Sequence, residues 1–383
     1  KVRRFVVEER EQKLKEYSEQ TPLNFEEMHD TKIGIITAGV SYNYCKEVFG
    51  DNASYLKLGF SYPLPMNKIR AFADKVDTLY VVEELDPFME EQIQRAGISC
   101  HGKDVIPNID ELNPNIIAEA ILHKGQEGVT VSDDLFVPRP PALCAGCPHR
   151  GFFYELAKRK DTVMVGDIGC YALGGAEPLN AKDMALCMGS AFSLGHGMVK
   201  AFADSGQQKR VVAVMGDSTF FHTGINALTE VSYNKSNTIC VILDNRTTGM
   251  TGHQNHPATG KTIKNEPTYE LDLEQVCRAV GVPNVRTIDP NDLSAMETAL
   301  KEELAKEEVS VIIAKRPCVL LTKKLYNGFR VNDKCKKCKA CLKLGCPAIV
   351  NGKDGITIDV SLCTECGLCQ NVCKFGAIEG EGK

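Results

Sequence analysis

The sequence lacks the long apolar runs of membrane proteins. In its 383 residues no apolar stretch approaches the ~18 residues that a membrane-spanning helix needs, so we expect no membrane association. The first twenty residues, KVRRFVVEEREQKLKEYSEQ, lack the apolar core of a secretory signal peptide. Because the sequence begins with Lys rather than Met, residue 1 need not be the native start.

An excess of positive charge is lacking too. Lys and Arg number 45 against 50 Asp and Glu, for a net charge of −5, which argues against nucleic acid as the main partner. The hydrophobic share of 43% and the charged share of 25% are typical of a folded globular protein. The length predicts two or three domains. What the sequence has in excess is cysteine, with 17 residues.

The first part of the chain has the pattern of an α/β domain. Short apolar runs at 32–37, 78–84 and near 99–102 are typical of buried strands, and the segments between them have helical spacing. We therefore predict a parallel sheet covered by helices. A rigid break at Pro138, Pro140 and Pro141 marks the expected end of this region.

The second part has four longer apolar runs, at 162–167, 210–217, 238–245 and 309–316. Continuous apolar runs are typical of strands that are covered on both faces. In open α/β sheets ligands bind beyond the carboxyl ends of the strands, so the residues that follow these runs are the candidates for a site.

Eight cysteines lie within the 39 residues from Cys335 to Cys373, in the spacings C-x2-C-x2-C-x4-C-P and C-x2-C-x2-C-x3-C-K. A zinc ribbon needs only two CxxC pairs, and disulfides do not persist in a reducing compartment. The pattern resembles the bacterial two-[4Fe–4S] ferredoxin domain, apart from the x4 spacing and Lys374 in place of proline. That resemblance implies one cluster on Cys335, Cys338, Cys341 and Cys373, and a second on Cys363, Cys366, Cys369 and Cys346.

Polar residues follow two of the apolar runs in the second part. Gly216-Asp217-Ser218 ends one run, and Asp244-Asn245 ends the next. The pair resembles the thiamine diphosphate motif, GDG followed about thirty residues later by NN, with Ser218 and Asp244 as departures. The resemblance implies Mg²⁺ on Asp217, Asn245 and the Thr247 carbonyl, which are hard oxygen ligands. It places cofactor contacts at Gly216, Asp217, Ser218, Asn245, Thr247, Gly249, Met250 and Thr251. The alternative is ordinary turn residues.

Four further cysteines, Cys144, Cys147, Cys170 and Cys318, lie at predicted strand ends or in loops. They do not follow ferredoxin spacing. A third [4Fe–4S] cluster, a redox or zinc pair, and simple packing are all open interpretations. Packing is the expected role of Cys45, Cys187, Cys240 and Cys277.

Together these segments resemble the thiamine-diphosphate-dependent 2-oxoacid:ferredoxin oxidoreductases, and within them the alpha subunits of the indolepyruvate type. The resemblance is carried by CAGCPHRG, GDIGCYALG, CMGSAFSLGHG, GDSTFFHTGINAL and DNRTTGMTGHQ. It implies an α/β fold with two parallel-sheet, three-layer domains and a small two-[4Fe–4S] ferredoxin-like α+β domain. By residue, it implies a transketolase C-terminal-like domain over 31–130, a thiamine diphosphate domain over 138–328, and the ferredoxin domain over 329–383. Residues 1–30 would be a linker or the tail of a preceding domain.

The family's chemistry is oxidative decarboxylation of a 2-oxoacid with CoA, and electrons pass through [4Fe–4S] clusters to external ferredoxin. For this chain the resemblance implies aryl pyruvates, with aryl-acetyl-CoA and CO₂ as products. The alternatives are pyruvate or a branched-chain oxoacid as substrate, or a non-catalytic electron-transfer subunit. In related enzymes a cluster nearest thiamine corresponds by motif to Cys144, Cys147, Cys170 and Cys318. His222 and His253 are candidate catalytic residues, with His149 as a further polar contact, and structural roles are the alternative.

The family's alpha subunit also has an N-terminal pyrimidine-binding domain, and no such domain precedes Lys1. We therefore expect a partner chain or segment that supplies it, a beta subunit, and a hetero-oligomeric enzyme. Residues 329–383 hold nine Lys or Arg and six Asp or Glu. This excess of positive charge could attract an acidic ferredoxin or could simply belong to a solvated surface, and the two interpretations are equally open. Oxygen-labile clusters favour an anaerobic cytoplasm.

Overall fold

The computed structural model describes residues 2–125, 131–137, 139–322, 324 and 326–380. By its contacts the chain divides into two compact units, Lys1–Val137 and Pro138–Lys383. Pro138 and the predicted boundary at residue 130 lie outside the described residues, and the four domain boundaries stay predictions. Among the described residues, no helix combines the length and the apolar character needed to cross a bilayer.

The first unit is built on a four-stranded sheet in the order β1-β3-β2-β4. Strand β2 is parallel to β3 and β4, and β1 is antiparallel to β3. The elements of this unit are α1 (Val2–Gln20), β1 (Asn24–Glu27), β2 (Ile33–Ala38), α2 (Ser41–Phe49), β3 (Ser54–Leu58), α3 (Met66–Ala73), β4 (Thr78–Val82), α4 (Phe88–Arg95) and α5 (Pro114–Leu122).

Helices cover both faces of this sheet. Neighbouring strand residues point to opposite faces, so Ile35 packs with Cys45 and Phe49 of α2, and Ile36 packs with Ile69 of α3. The prediction of a three-layer α/β arrangement is confirmed for this unit. The antiparallel strand β1 lies at one edge.

The start of the chain contains a helix and a short strand, and its assignment as a linker or the tail of a preceding domain stays a prediction. Helix α1 carries Glu19, whose carboxylate accepts hydrogen bonds from the backbone N–H groups of Asn67 (2.8 Å) and Lys68 (3.0 Å) in the first turn of α3. The segment Asn24–Glu27 adds a strand to the sheet. Near residues 99–102, where we expect a strand, only an isolated bridge joins His101 to Tyr80. The segment over 24–27 is too short and too polar to show a strand pattern in the sequence, whereas the predicted strand near 99–102 is reduced to this bridge.

The second unit is built on a five-stranded, fully parallel sheet in the order β5-β6-β7-β9-β8. The four predicted apolar runs become β5, β6, β7 and β9. The elements around the sheet are α6 (His149–Leu156), β5 (Thr162–Val165), α7 (Ala191–Asp204), β6 (Arg210–Gly216), α8 (Asp217–Thr219), α9 (Ile225–Tyr233), β7 (Ile239–Asp244), α10 (Leu273–Ala279), β8 (Asn284–Ile288), α11 (Leu293–Leu304) and β9 (Ser310–Lys315).

Two apolar layers hold this sheet between its helices. Val212 and Val214 face a layer that contains Phe152 of α6 and Met296 of α11. The intervening residues Val211, Ala213 and Met215 face a second layer with α7, α9 and α10. Burial on both faces is what the continuous apolar runs predict. The arrangement aligns the carboxyl ends of β5, β6 and β7 along one edge.

The last part of the second unit is a small module of short strands. It contains β10 (Phe329–Val331), β11 (Ile349–Gly352), β12 (Gly355–Ile358), α12 (Leu368–Val372) and β13 (Ile378–Gly380). Strands β10 and β13 pair antiparallel, as do β11 and β12. The module has its own apolar core around Leu344, Leu368 and Ile378, against which Tyr154 and Leu293 also pack. The predicted ferredoxin-like α+β architecture is confirmed.

Candidate functional site

A cavity of about 150 Å³ opens at the carboxyl ends of β5, β6 and β7. The loops after these three strands form its walls, as the rule for open α/β sheets predicts. The lining residues are His149, Ile168, Gly169, Cys170, Tyr171, Met188, Gly216, Asp217, Ser218, Thr219, Leu243, Asn245, Thr247, Thr248, Gly249, Met250 and Thr251. Every residue for which the sequence predicts a cofactor contact is among them.

Asp217 is the buried carboxylate at the floor of this cavity, directly after β6. Its Oδ1 accepts a hydrogen bond from the Ser218 N–H (2.8 Å), and its Oδ2 accepts one from the Arg246 N–H (2.9 Å). The Nε2 atom of the buried His256 lies 3.0 Å from Oδ2. The Ala258 N–H donates to His256 Nδ1 (3.3 Å), so Nε2 is the ring nitrogen that faces the carboxylate.

A second buried carboxylate, Asp244, ends the neighbouring strand β7. Burial and then the charge of Asp217 raise the pKa of the Asp244 carboxyl to about 6. A buried acid whose ionisation is opposed by a neighbouring carboxylate favours a cation beside it. The backbone N–H of Arg246 also donates to Asp244 Oδ1 (3.1 Å), so the β7 loop binds both acids.

The loop after β7 brings further oxygen atoms to the cavity. Asn245 and Thr247 are both buried, and both line it. The backbone carbonyl of Asn245 accepts a hydrogen bond from the Cys318 N–H (2.9 Å), which holds the end of β9 against this loop. The predicted magnesium ligands Asp217, Asn245 and Thr247 therefore lie around one cavity.

His149 lines the cavity from the first turn of α6 and is fully buried. Burial lowers the pKa of its imidazole to about 4, against an opposing effect of the Asp217 charge, so the ring is neutral at pH 7. The Tyr171 ring lies edge-on to it, and the Tyr171 hydroxyl donates to the Ile168 carbonyl (2.8 Å).

The other two candidate histidines lie elsewhere. His222 and His253 are exposed and are not among the lining residues, and their catalytic assignment stays a prediction. Two buried residues that we did not predict lie at the site instead, His256 and Asp167. Asp167 accepts hydrogen bonds from the N–H groups of Ile168, Gly189 and Ala191, which fixes the segment before α7. Its place at the end of the β5 run was the available signal.

The four inner cysteines come together beside the cavity. Burial raises the pKa of Cys147 to about 12, and the charges of Cys144 and Cys318 raise it further. The pKa of Cys170 is raised by burial and by the same two thiols. Cys170 itself lines the cavity. Thiols that hinder one another's ionisation need positive charge nearby before they can act as thiolate ligands.

The eight C-terminal cysteines form two groups. Cys335, Cys338, Cys341 and Cys373 line one small cavity in the module. In the other group, burial raises the pKa of Cys369 to about 12, and the charges of Cys366, Cys363 and Cys346 raise it further. Each group has the membership that the ferredoxin resemblance implies.

Comparison with known proteins agrees with this geometry. Residues 167–314 match the family described as thiamine pyrophosphate enzyme, C-terminal TPP binding domain. Residues 356–379 match the 4Fe-4S binding domain family. The chain is 35% identical to indolepyruvate oxidoreductase subunit IorA of Pyrococcus horikoshii over 96% of its own length. It is 34% identical to the IorA of Methanothermobacter marburgensis over its whole length.

The chain belongs to the family of these IorA subunits. It spans 63% of the Pyrococcus horikoshii IorA and 66% of the Methanothermobacter marburgensis IorA. One solved structure, 2-oxoglutarate:ferredoxin oxidoreductase from Magnetococcus marinus, aligns with 48% of this chain and 67% of its own chain, at 18% identity and a TM-score of 0.40. As an IorA family member, the chain carries a thiamine diphosphate binding domain and a 4Fe-4S binding domain.

The residues present fit both kinds of cofactor. The two adjacent buried acids and the amide and carbonyl oxygens of the β7 loop are hard donors of the kind Mg²⁺ prefers. The converging thiols are soft donors, and a cubane takes four of them. In the part of the chain that the structure describes, no three His, Cys, Asp or Glu side chains are arranged to hold a single metal ion.

Proposed function

We propose that this chain is the thiamine-diphosphate-binding, electron-carrying subunit of a 2-oxoacid:ferredoxin oxidoreductase that acts on aryl pyruvates of the indolepyruvate type. The observation that carries the proposal is the cavity after β5, β6 and β7. Its walls bring together Cys170 of the inner cysteines and Asp217, whose charge acts on the neighbouring buried Asp244. A cofactor that releases electrons there would lie next to a group of thiols that can hold iron.

The proposed cofactor site uses the residues that line this cavity. Asp217, Asn245 and the Thr247 carbonyl hold Mg²⁺, and Gly216, Ser218, Gly249, Met250 and Thr251 contact the coenzyme. Thiamine diphosphate, when bound, supplies an electron sink for decarboxylation. The neutral His149 ring offers a hydrogen bond inside the cavity without adding charge.

The proposed electron path uses three clusters. Cys144, Cys147, Cys170 and Cys318 hold the one nearest the cavity. Cys363, Cys366, Cys369 and Cys346 would hold the second, and Cys335, Cys338, Cys341 and Cys373 would hold the third, which would supply the electrons for external ferredoxin. A cluster accepts one electron at a time, so several clusters suit a substrate that releases two.

Cofactor quantification under anaerobic conditions tests the site. We expect about twelve iron and twelve sulfide per chain, as three cubanes require, with thiamine diphosphate bound only when Mg²⁺ is present. Chelation of Mg²⁺ with EDTA is the matched control, since it should release the coenzyme and leave the iron. About eight iron would remove the inner cluster from the proposal, and coenzyme binding indifferent to EDTA would remove the magnesium site.

Turnover by the complete enzyme tests the substrate. We propose that this enzyme includes a beta subunit and a chain or segment with a pyrimidine-binding domain, and that it needs CoA and ferredoxin. With indolepyruvate, phenylpyruvate and pyruvate compared, ferredoxin reduction should be fastest with an aryl pyruvate. Equal or faster turnover of pyruvate would defeat the aryl assignment. Full cofactor loading with no turnover of any 2-oxoacid would favour a purely electron-transferring subunit.

A further inference from the structure

Arg150 is a guanidinium buried to 1% exposure in the first turn of α6. Its three hydrogen bonds all go to backbone carbonyls. Nη1 donates to Leu344 O (2.7 Å), and Nη2 donates to Leu143 O (2.6 Å) and Cys144 O (2.9 Å). Among the described residues, no carboxylate forms an ion pair with Arg150, and its Nε–H has no acceptor.

A buried cation without a counter-ion is costly. Removing a charged group from water costs several kcal/mol, and carbonyl dipoles offset only part of that cost. Arg150 therefore calls for an anion in its surroundings. A [4Fe–4S] core with four cysteine thiolates is a net anion, and the inner and C-terminal cysteines are the groups in its vicinity that would carry one.

The location of Arg150 links two of the cysteine groups. One of its carbonyl partners belongs to Cys144 of the inner group, and another belongs to Leu344, two residues before Cys346 of the second group. A Cβ built on Gly345 would lie 3.5 Å from Arg150 Nη1, so this turn packs directly against the guanidinium.

The two cysteine loops also touch each other. Gly146, between Cys144 and Cys147, has φ +71° and lies so close to Thr364 that a Cβ there would be 1.9 Å from its Oγ1. Thr364 in turn lies between Cys363 and Cys366. The loops that carry the inner group and the second group are therefore in van der Waals contact at Gly146 and Thr364, and Arg150 bonds to the backbone beside both groups.

Electrostatics agree with this placement. Burial raises the pKa of Cys147 to about 12, and the Arg150 charge opposes that rise. Burial likewise raises the pKa of Cys366, and Arg150 again opposes it. The guanidinium therefore lies close enough to one cysteine in each of the two groups for its charge to act on both.

We propose that Arg150 is a positioning residue that raises the reduction potentials of two clusters together, the inner one and the one held by Cys363, Cys366, Cys369 and Cys346. A reduced cluster carries one more negative charge, so a fixed cation nearby stabilises it. The inference rests on the proposed function, in which oxidation of the 2-oxoacid supplies the electrons. Among the described residues, the loops of the cluster on Cys335, Cys338, Cys341 and Cys373 meet Arg150 only at Leu344 and Gly345, which follow Cys341, so this cluster serves as an internal reference with a smaller expected shift.

The test is Arg150→Met in the full chain, with anaerobic dithionite titration of each cluster followed by EPR. We expect the potentials of the inner and second clusters to fall, each by about a tenfold change in the reduction equilibrium constant, as a unit charge several ångströms away in an effective dielectric of about 20 implies. For a one-electron couple tenfold is about 59 mV. The potential of the reference cluster should fall less than either of these. Arg159→Met, nine residues further along the chain, is the matched control and should leave all three unchanged.

Two further variants separate charge from packing. Arg150→Lys keeps the charge and should leave both potentials near those of the unchanged protein, whereas Arg150→Gln keeps donors without charge and should lower them. The pair also gives the answer if the Met variant does not fold. Equal shifts in the Lys and Gln variants, equal shifts of all three clusters, or no shift would each overturn the inference. If the unchanged protein contains no inner cluster, the three-cluster proposal is rejected. The joint effect of Arg150 on two clusters is then rejected with it.

Discussion

Glu83 in the first unit and Asp217 in the second can be compared directly. Each is a buried carboxylate directly after a parallel strand, the edge strand β4 for Glu83 and the inner strand β6 for Asp217, and each accepts backbone N–H bonds. Glu83 binds the N–H groups of Met89 and Glu90, and so caps the next helix of its own chain segment. Asp217 accepts instead from Arg246, in the loop of the neighbouring strand.

The difference shows that a strand-end acid can complete a helix or build a site, depending on what the adjacent strand delivers. Beside Asp217, the β7 loop brings a second acid and a run of polar residues, and a cavity opens. Both carboxylate oxygens of Glu83 accept hydrogen bonds from the backbone N–H groups of Met89 and Glu90 at the start of α4. A parallel α/β sheet therefore does not itself predict a cofactor, and the residues that follow two neighbouring strands must be considered together.

The largest expected effect is on coenzyme binding. Asp217→Asn removes the charge that the proposed Mg²⁺ needs, and should weaken thiamine diphosphate binding about 100-fold, since a lost charge-assisted contact costs up to about 3 kcal/mol. Glu83→Gln is the matched change, and should leave the affinity unchanged. Calorimetric titration in Mg²⁺ buffer measures both. An unaltered affinity in Asp217→Asn would break the distinction between the two acids.

Within the second unit, two cysteines allow the same comparison between a residue at the site and a residue that only packs. Cys170→Ser should lower the iron content from about twelve to about eight per chain, because one cubane loses a ligand. Cys277→Ser alters a thiol that is fully buried in the apolar layer between α10 and the sheet, and should leave the iron content unchanged. If both variants contain the same amount of iron per chain, Cys170 is not a cluster ligand and has a packing role like Cys277. Anaerobic colorimetric iron analysis decides between them.

Buried histidines among the described residues lie only in the second unit, at His149 and His256. His149 has a folded pKa of about 4 against an ordinary value of 6.5, so the unfolded chain binds a proton that the folded chain does not between those pH values. Stability should therefore be fully present above pH 6.5 and fall as the pH drops toward 4. From pH 7 to pH 5 the loss should be about 2 kcal/mol greater than in His149→Gln. Anaerobic urea unfolding measures it, and parallel pH profiles would contradict it.

The smallest expected effects come from alanine substitutions at two glycines. A Cβ on Gly216 would lie 2.6 Å from the Tyr171 ring, and one on Gly34 would lie 2.6 Å from a Val76 methyl carbon. Gly216→Ala should displace Tyr171 at the cavity wall and weaken coenzyme binding by about tenfold. Gly34→Ala should cost about 1–3 kcal/mol of stability by overpacking, with no change in that affinity. Coenzyme titration and unfolding of both variants measure the two effects, and equal affinities would show that the Tyr171 wall is not used.

Much of the fold could be predicted from the apolar runs. The runs over 162–167, 210–217, 238–245 and 309–316 became strands because they are buried on both faces. The strands β1, β3 and β8 were missed because they are short and mix polar with apolar residues. Their place in the sheets depends on neighbours that are distant in sequence.

The site was predictable where it follows strand ends and not where it depends on loops. Gly216, Asp217, Asn245 and Thr247 stand directly after apolar runs, so their meeting at one edge follows from parallel topology. His256 approaches Asp217 from an irregular loop, and no spacing in the sequence indicates that contact. His222 lies in a π-helical turn over Phe220–Gly224, and its outward direction depends on that turn.

The bond of Glu19 to the start of α3 has a practical consequence. A shortened chain that begins at residue 31 would leave the amides of Asn67 and Lys68 without this acceptor, and the edge strand over 24–27 would be absent from the sheet. Anyone trimming the protein for expression or crystallisation should therefore cut before Val2–Gln20 and not after it.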